Sequence, residues 1–267
     1  MQTTTANGLD QARLRQFHDD GFTIVPALLD MDEVEDLRSE FMHLQQAGAV
    51  PGHFEPKGDD PNDPLSTFPR YMNPHRVNEL ARRYLLDARF RVILEQLLDE
   101  EPLAAQSMFY FKPPGARGQA LHQDNFYLRV EPGTCIAAWV AIDVIDRANG
   151  GLEVVPGTHK MDLFCPEESD AGVSFTRDYV PPPPGLSAVP VDMAAGDVLF
   201  FNGSLVHGSG PNATPDRFRR SFIGHYLGRS AEKISTWYEV LTMDGRDVAM
   251  AAATGGGPCG IEVAGPH

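Results

Sequence analysis

Residues 121–127 read LHQDNFY, a short apolar run in which a histidine and an aspartate stand two apart. Alternate side chains of a β-strand share a face, so His122 and Asp124 are expected to point together while Gln123 points away. An imidazole nitrogen and a carboxylate that converge on one point supply two ligands of a metal centre. A facial set of two histidines and one carboxylate needs one more histidine, and it leaves three positions open on ferrous iron, as an oxygenase requires. An H-x-D spacing is common by itself, so the third ligand decides what it means.

The other histidines differ in context. His18 falls on an amphipathic helix, where a half-buried helical residue is the ordinary reading, and His43 in a predicted helix; His53 and His75 lie in or beside a loop, where a solvated histidine is the ordinary reading and a substrate contact the alternative, and His267 is terminal. His159, in VPGTHK, follows a turn and competes for the ligand role. His207 is the stronger candidate, because it follows the apolar run DVLFFNGSLV and should sit at a strand end facing a core. Arg217, Arg219 and Arg220 come soon after it. The far carboxylate of a metal-chelated 2-oxoglutarate needs a charge-assisted, preferably bidentate, partner. In RRSFIGHY, Arg219 and Ser221 share one face and Arg220 shares the other with Phe222. A guanidinium and a hydroxyl two residues on make a carboxylate clamp, whereas a basic strand end in water suits Arg217 and Arg220 better.

Elements able to position such groups can be read from the periodicity. Residues 9–20 carry Leu14, Phe17 and His18 on one helical face, and residues 31–47 carry Val34, Leu37, Phe41 and Leu44, with Asp30 as cap. GFTIVPALL between them reads as a strand, and 76–98 returns to helical spacing. Residues 50–75 are rich in Pro, Gly and Asp and too long for an ordinary connection, so a covering loop is expected. From 103 onward short β-type runs follow one another: LAAQSMFYFK, QALHQDNFYL, TCIAAWVAIDV, LEVV, SAVPVDM, DVLFF, SLVHG and RRSFIGHYLG. This succession predicts a sandwich or jelly roll, mainly β, with helices flanking it. IAAWVAI is apolar on both faces, with Trp139 flanked by the small Ala137 and Ala141. In AQSMFYFK, Gln106, Met108, Tyr110 and Lys112 share a face, Lys112 reading as a strand-end charge.

With 267 residues, one domain with decorations is expected: a helical part to residue 100 with the covering loop 50–75, a core from 101 to 230 with an insert at 160–187, and an extension over 231–267. The formal charge of −15 argues against nucleic acid and anionic membrane. Three widely spaced cysteines argue against a disulfide framework and for reduced thiols. With no apolar stretch of membrane length and a polar N-terminus, a cytoplasmic protein is expected, a monomer or weak homodimer by default.

The chain resembles the phytanoyl-CoA dioxygenase family of Fe(II)- and 2-oxoglutarate-dependent oxygenases. The stretches that carry the likeness are DGFTIVPALLDMDEVEDLR, QSMFYFKPPG, LHQDNFY, NGGLEVVPGTHK, GDVLFFNGSLVHGSGPN and RRSFIGHY, in family order over most of residues 15–228. The resemblance implies a double-stranded β-helix of cupin-like type, with N-terminal helices packed outside. It implies that His122, Asp124 and His207 hold iron and that His159 belongs to a turn segment. It also implies that Arg219 holds 2-oxoglutarate, with Arg220 as the alternative because the spacing after His207 is one residue longer than usual. Ser221, Tyr110, Trp139 and Gln106 are expected to help form the cosubstrate site. Asp124 favours oxygen transfer over halogenation, since iron halogenases vacate the carboxylate position for chloride.

The expected activity is hydroxylation of a C–H bond with release of succinate and CO2, using O2. Desaturation, cyclisation, epimerisation, or non-catalytic binding of 2-oxoglutarate and metal are the alternatives. These motifs do not specify the substrate. The loop 50–75, the insert 160–187 and Ser235–Tyr238 are expected to ring the mouth. Their carboxylates (Glu55, Asp59, Asp60, Asp63, Asp162, Glu167, Glu168 and Asp170) and the lack of a basic cluster for coenzyme A suggest a small polar or amine-bearing metabolite. Eighteen arginines against four lysines fit a GC-rich bacterial gene for secondary metabolism.

Overall fold

The structure is a computed structural model and describes residues 8–55, 63–263 and 265–266. Asp59, Asp60 and His267, named above, lie outside the described residues. In chain order the strands are β1 (Phe22–Val25), β2 (Tyr71–Met72), β3 (Pro102–Tyr110), β4 (Gln119–His122), β5 (Cys135–Ala141), β6 (Leu152–Val154), β7 (Glu167–Glu168), β8 (Asp178–Tyr179), β9 (Val189–Pro190), β10 (Val198–Asn202), β11 (His207–Ser209), β12 (Ser221–Gly228), β13 (Lys233–Ile234), β14 (Val240–Thr242), β15 (Asp247–Val248) and β16 (Ala251–Ala252). The helices are α1 (Gln11–Asp20), α2 (Met31–Ala47), α3 (Pro64–Thr67), α4 (Glu79–Leu85), α5 (Ala88–Leu98) and α6 (Asn125–Leu128).

Two antiparallel sheets face each other in a jelly roll. The larger has the order β1-β10-β5-β12-β3-β14-β15, with β2 also paired to β3; the smaller has the order β4-β11-β6-β9. Strand alternation divides the larger sheet into two chemical surfaces. Ile136, Ala138, Val140, Phe200, Phe222, Tyr226 and Phe109 face outward onto the helices, where they join Val34, Leu37, Phe41, Leu85 and Phe90. Ala137, Trp139, Ala141, Met108, Tyr110, Leu199, Phe201 and Ile223 face inward toward Leu152 and Val154 of the smaller sheet. Covered on both sides, β5 is buried along its whole length, which explains its unbroken apolar sequence.

The helices are built as their sequences suggest. Asp30 and Glu33 form a capping box at the start of α2, and its stripe Val34, Leu37 and Phe41 is fully buried. Phe41 stacks on Phe109 with ring centroids 4.0 Å apart, so truncating it to alanine would cost about 3–5 kcal/mol. In α1, Phe17 is buried but His18 is exposed rather than half-buried. The helical stretch 76–98 is two helices, because the Asp87 carboxylate accepts from the Arg89 amide and starts α5 afresh.

Two expectations need correction here. The segment 50–75 is only partly a cover: Phe54, Tyr71 and His75 are buried in it, and Tyr71 pairs with Phe109 as β2 joins the sheet. His75 is not a solvated loop residue; its Nδ1 bonds the Ser107 hydroxyl at 2.7 Å, and burial pulls it down to about 3. Nor are all three thiols free. Cys165 and Cys259 form a disulfide that ties the insert to the C-terminal segment, while Cys135 is a buried thiol. A separation of 94 residues leaves no local signature of that pairing. Among the described residues no helix is long and apolar enough to cross a membrane.

Candidate metal centre

The smaller sheet brings the two histidines together. His207 and His122 are direct partners across β11 and β4, and their rings lie 4.3 Å apart. Gly208 allows this approach, since a Cβ there would sit 2.8 Å from the Gln119 carbonyl oxygen and 2.9 Å from the Leu121 nitrogen. Asp124 arrives differently from the strand alternation expected. β4 stops at His122, and Asp124 has helical backbone angles (φ −60°, ψ −37°) at the start of α6. Its carbonyl accepts the Tyr127 and Leu128 amides, so a helical turn swings the carboxylate back under the imidazoles. Gln123 does point away, bonding the Ser204 carbonyl and the Phe164 amide.

Ligand atoms of His122, Asp124 and His207 all lie within 4.8 Å of one another, and all three residues are buried. Nδ1 of His122 donates to the Ala120 carbonyl at 2.7 Å, and Nδ1 of His207 donates to the Leu205 carbonyl at 2.9 Å. A carbonyl can only accept, so both rings carry their proton on Nδ1 and turn the Nε2 lone pair toward the centre. Each Nε2 is 3.4 Å from Asp124 Oδ1. Burial brings His207 down to about 4, which favours the neutral imidazole that a metal ligand requires. Two nitrogen lone pairs and one carboxylate oxygen suit Fe(II).

The inner face of β12 continues from this centre toward the residues expected to hold the cosubstrate. Arg219 is 3% exposed; its Nη1 donates to Ser221 Oγ at 3.0 Å, and its guanidinium lies over the rings of Trp139 and Tyr110, at 5.4 and 5.7 Å. Burial lowers Arg219 to about 10. Arg220 faces the opposite way, where Asp143 takes its Nε and Nη2 at 2.9 and 2.8 Å. Arg217 is likewise occupied, by Asp146.

A pocket of about 30 Å³ at the metal centre is walled by Met108, Tyr110, Trp139 and Arg219 as well as the three ligands. A second cavity, of about 160 Å³, shares Tyr110 and Arg219 with it and extends to Phe68, Arg70, Arg117 and Phe175. Hydrogen bonds cross between them, from Arg70 to the Tyr110 hydroxyl (3.0 Å) and on to Gln119 Oε1 (3.1 Å); the Gln119 amide nitrogen lies 3.2 Å from His122 Nε2, a contact that a bound metal would replace.

Some residues fall elsewhere than expected. Gln106 is buried beside His225 in the β3/β12 register, not in the lining of either cavity. His159 bonds the His18 carbonyl of α1, outside the metal cluster. Ser235, Thr236 and Tyr238 line a separate surface cleft, and the half-exposed Trp237 donates to the Val263 carbonyl. Sequence reasoning overlooked His225, whose Nε2 donates to Asp124 Oδ2 at 3.0 Å and leaves Oδ1 facing the imidazoles. The signal was present, because alternation from Arg219 through Ser221 and Ile223 puts His225 on the same inner face. Gln119, which lines the metal pocket, was passed over as well, and Lys112, read as a strand-end charge, is buried in the wall of the larger cavity.

A jelly roll with two histidines and a carboxylate gathered on its inner side is the arrangement expected of a non-haem iron oxygenase. The chain belongs to the phytanoyl-CoA dioxygenase (PhyH) family, whose model matches residues 17–221. It is therefore an oxidoreductase that depends on Fe(II), 2-oxoglutarate and O2. It is 29% identical over 254 residues to the peroxisomal phytanoyl-CoA dioxygenase of Rattus norvegicus, covering 88% of this chain and 73% of that protein. It is 29% identical over 221 residues to the ectoine dioxygenase of Stutzerimonas stutzeri, covering 76% of this chain and 72% of that one. Among solved structures, EvdO2 of Micromonospora carbonacea var. aurantiaca complexed with 2-oxoglutarate is similar, with a TM-score of 0.65 at 25% identity, covering 85% of this chain and 94% of that one.

Proposed function

We propose that this enzyme hydroxylates a C–H bond of a small polar metabolite in secondary metabolism, with His122, Asp124 and His207 holding Fe(II) and Arg219 with Ser221 holding the far carboxylate of 2-oxoglutarate. Iron bound there would supply the activation of O2, coupled to oxidative decarboxylation of the cosubstrate to succinate. The protein's residues do the rest. The Nδ1 bonds to Ala120 and Leu205 keep both imidazoles aimed, and the buried Arg219 fixes the cosubstrate end that does not react. Trp139, Tyr110 and Ile223 keep water from the intervening space.

The observation that carries this reading is the shared wall: Arg219 and Tyr110 line both the metal pocket and the larger cavity beside it. The larger cavity, walled by Phe68, Arg70 and Phe175, is where substrate is placed, with loop 63–70 and the insert as its rim. The carboxylates counted in the sequence do not support an amine there. Asp63 reaches the lining, but Arg117 holds it at 2.7 Å, and Glu167 and Glu168 are exposed on β7. The site residues, the helical part and the C-terminal segment are read as one oxygenase unit.

The test is a screen of polar metabolites and acyl-coenzyme A esters for substrate-dependent succinate formation, followed by product analysis under 18O2. Labelled hydroxyl in a polar product is the expected result. Turnover of acyl-coenzyme A esters alone, or a product without new oxygen, would contradict the reading.

A further inference from the structure

Lys112 sits just past β3 in left-handed backbone (φ 37°) and is 3% exposed. It is not the strand-end charge its sequence position suggests. Its Nζ donates to the Gly150 carbonyl (3.0 Å), to the Ser209 hydroxyl (2.9 Å) and to the Gly210 carbonyl. Three acceptors match the three protons of an ammonium. The Gly150 carbonyl also accepts from Arg219 Nε at 3.1 Å, so two buried cations share one oxygen. Among the described residues neither has a carboxylate within ion-pair distance; Glu153, the acidic group that acts on Lys112, is held by Arg147 at 3.3 Å. Burial and the neighbouring Arg219 pull Lys112 well below the ordinary lysine range. Like charges placed together in a dry wall are unfavourable until an anion joins them. Arg219 lines both the metal pocket and the larger cavity, and Lys112 lines the larger cavity beside it, so both flank the wall that an anion reaching in from the metal would meet.

We propose that Lys112 is a second cation of the cosubstrate site, which acts beside Arg219 to select a 2-oxo acid bearing a far carboxylate over one that lacks it. This rests on the reading that Arg219 holds that carboxylate. Lys112 acts in two ways. Its charge adds to the field at the carboxylate, and its bond fixes the Gly150 carbonyl, to which the Arg219 guanidinium also donates. It is a positioning residue, since the reacting end of the cosubstrate lies at the metal.

The test compares anaerobic binding of 2-oxoglutarate and 2-oxopentanoate to the Fe(II)-loaded protein by calorimetry, in wild type and Lys112→Met. The two acids present the same 2-oxo acid to the metal and differ at the far end. In the variant, 2-oxoglutarate should weaken on the order of 10-fold while 2-oxopentanoate changes by less than about 2-fold, the size of one lost charge at an intermediate effective dielectric. An equal loss for both acids, or no loss for either, would mean a structural staple only and would overturn the proposal. If wild type itself does not distinguish the acids, the Arg219 reading fails first and the proposal falls with it. The ratio is an internal control for folding. Should Lys112→Met be poorly folded, Lys112→Gln is read against the same two outcomes.

Discussion

The two ends of the site solve opposite charge problems. At the proposed metal end the protein supplies the anion: Asp124 lies beneath His122 and His207 and is braced by His225, an arrangement that a divalent cation would complete. At the proposed cosubstrate end it supplies cations, because Arg219 and Lys112 are buried against each other without an acidic partner among the described residues. One end is arranged to receive a cation and the other an anion. On the proposed reading an iron-chelating dicarboxylate spanning them would satisfy both, and 2-oxoglutarate is expected to bind better than a 2-oxo acid without a far carboxylate.

The comparison can be broken from either end. Asp124→Ala should have the largest effect: with the anion gone, Fe(II) binding and substrate-dependent succinate formation are both expected to be lost. Metal content after reconstitution checks it. Arg219→Ala comes next. Removing one member of a buried charge pair costs about 2–5 kcal/mol, so 2-oxoglutarate binding should weaken by roughly 100-fold, with Fe(II) affinity largely kept. Arg220→Ala should leave cosubstrate binding near wild type, because Asp143 already engages that side chain on the opposite face of the sheet.

Smaller effects follow from the supporting residues. His225→Leu should weaken Fe(II) affinity by about 10–100-fold, as loss of a group orienting a ligand does. His225→Gln should recover much of this, since its amide can donate to Asp124 Oδ2; competition with a colorimetric chelator reads both. Farthest from the chemistry, one free thiol per chain is expected on titration of the unreduced, denatured protein, namely Cys135. Cys259→Ser should lower unfolding stability by about 2–4 kcal/mol, with little change in either ligand affinity.

The sequence was most legible where periodicity and burial agree. The inward set Ala137, Trp139 and Ala141 and the outward set Ile136, Ala138 and Val140 follow from strand alternation alone, as does the opposition of Arg219 and Arg220. Alternation misled at Asp124, where a helical turn replaces the strand, although the side chain still converges with His122. It was underused at His225, on the same inner face as Arg219. The Cys165–Cys259 bond and the burial of Tyr71 and His75 depend on distant parts of the chain meeting, and no local spacing encodes that. Lys112 was misread for a related reason, because its three acceptors come from residues 150, 209 and 210.

The most direct test of the two-ended site is an anaerobic titration of the metal-free protein with Fe(II) and then 2-oxoglutarate, following the weak visible charge-transfer absorption of the chelate. Saturable absorption in wild type, needing a much higher 2-oxoglutarate concentration in Arg219→Ala and absent in Asp124→Ala, is the result this account predicts. Fe(II) binding without any such absorption on addition of 2-oxoglutarate, or absorption indifferent to Arg219, would contradict it.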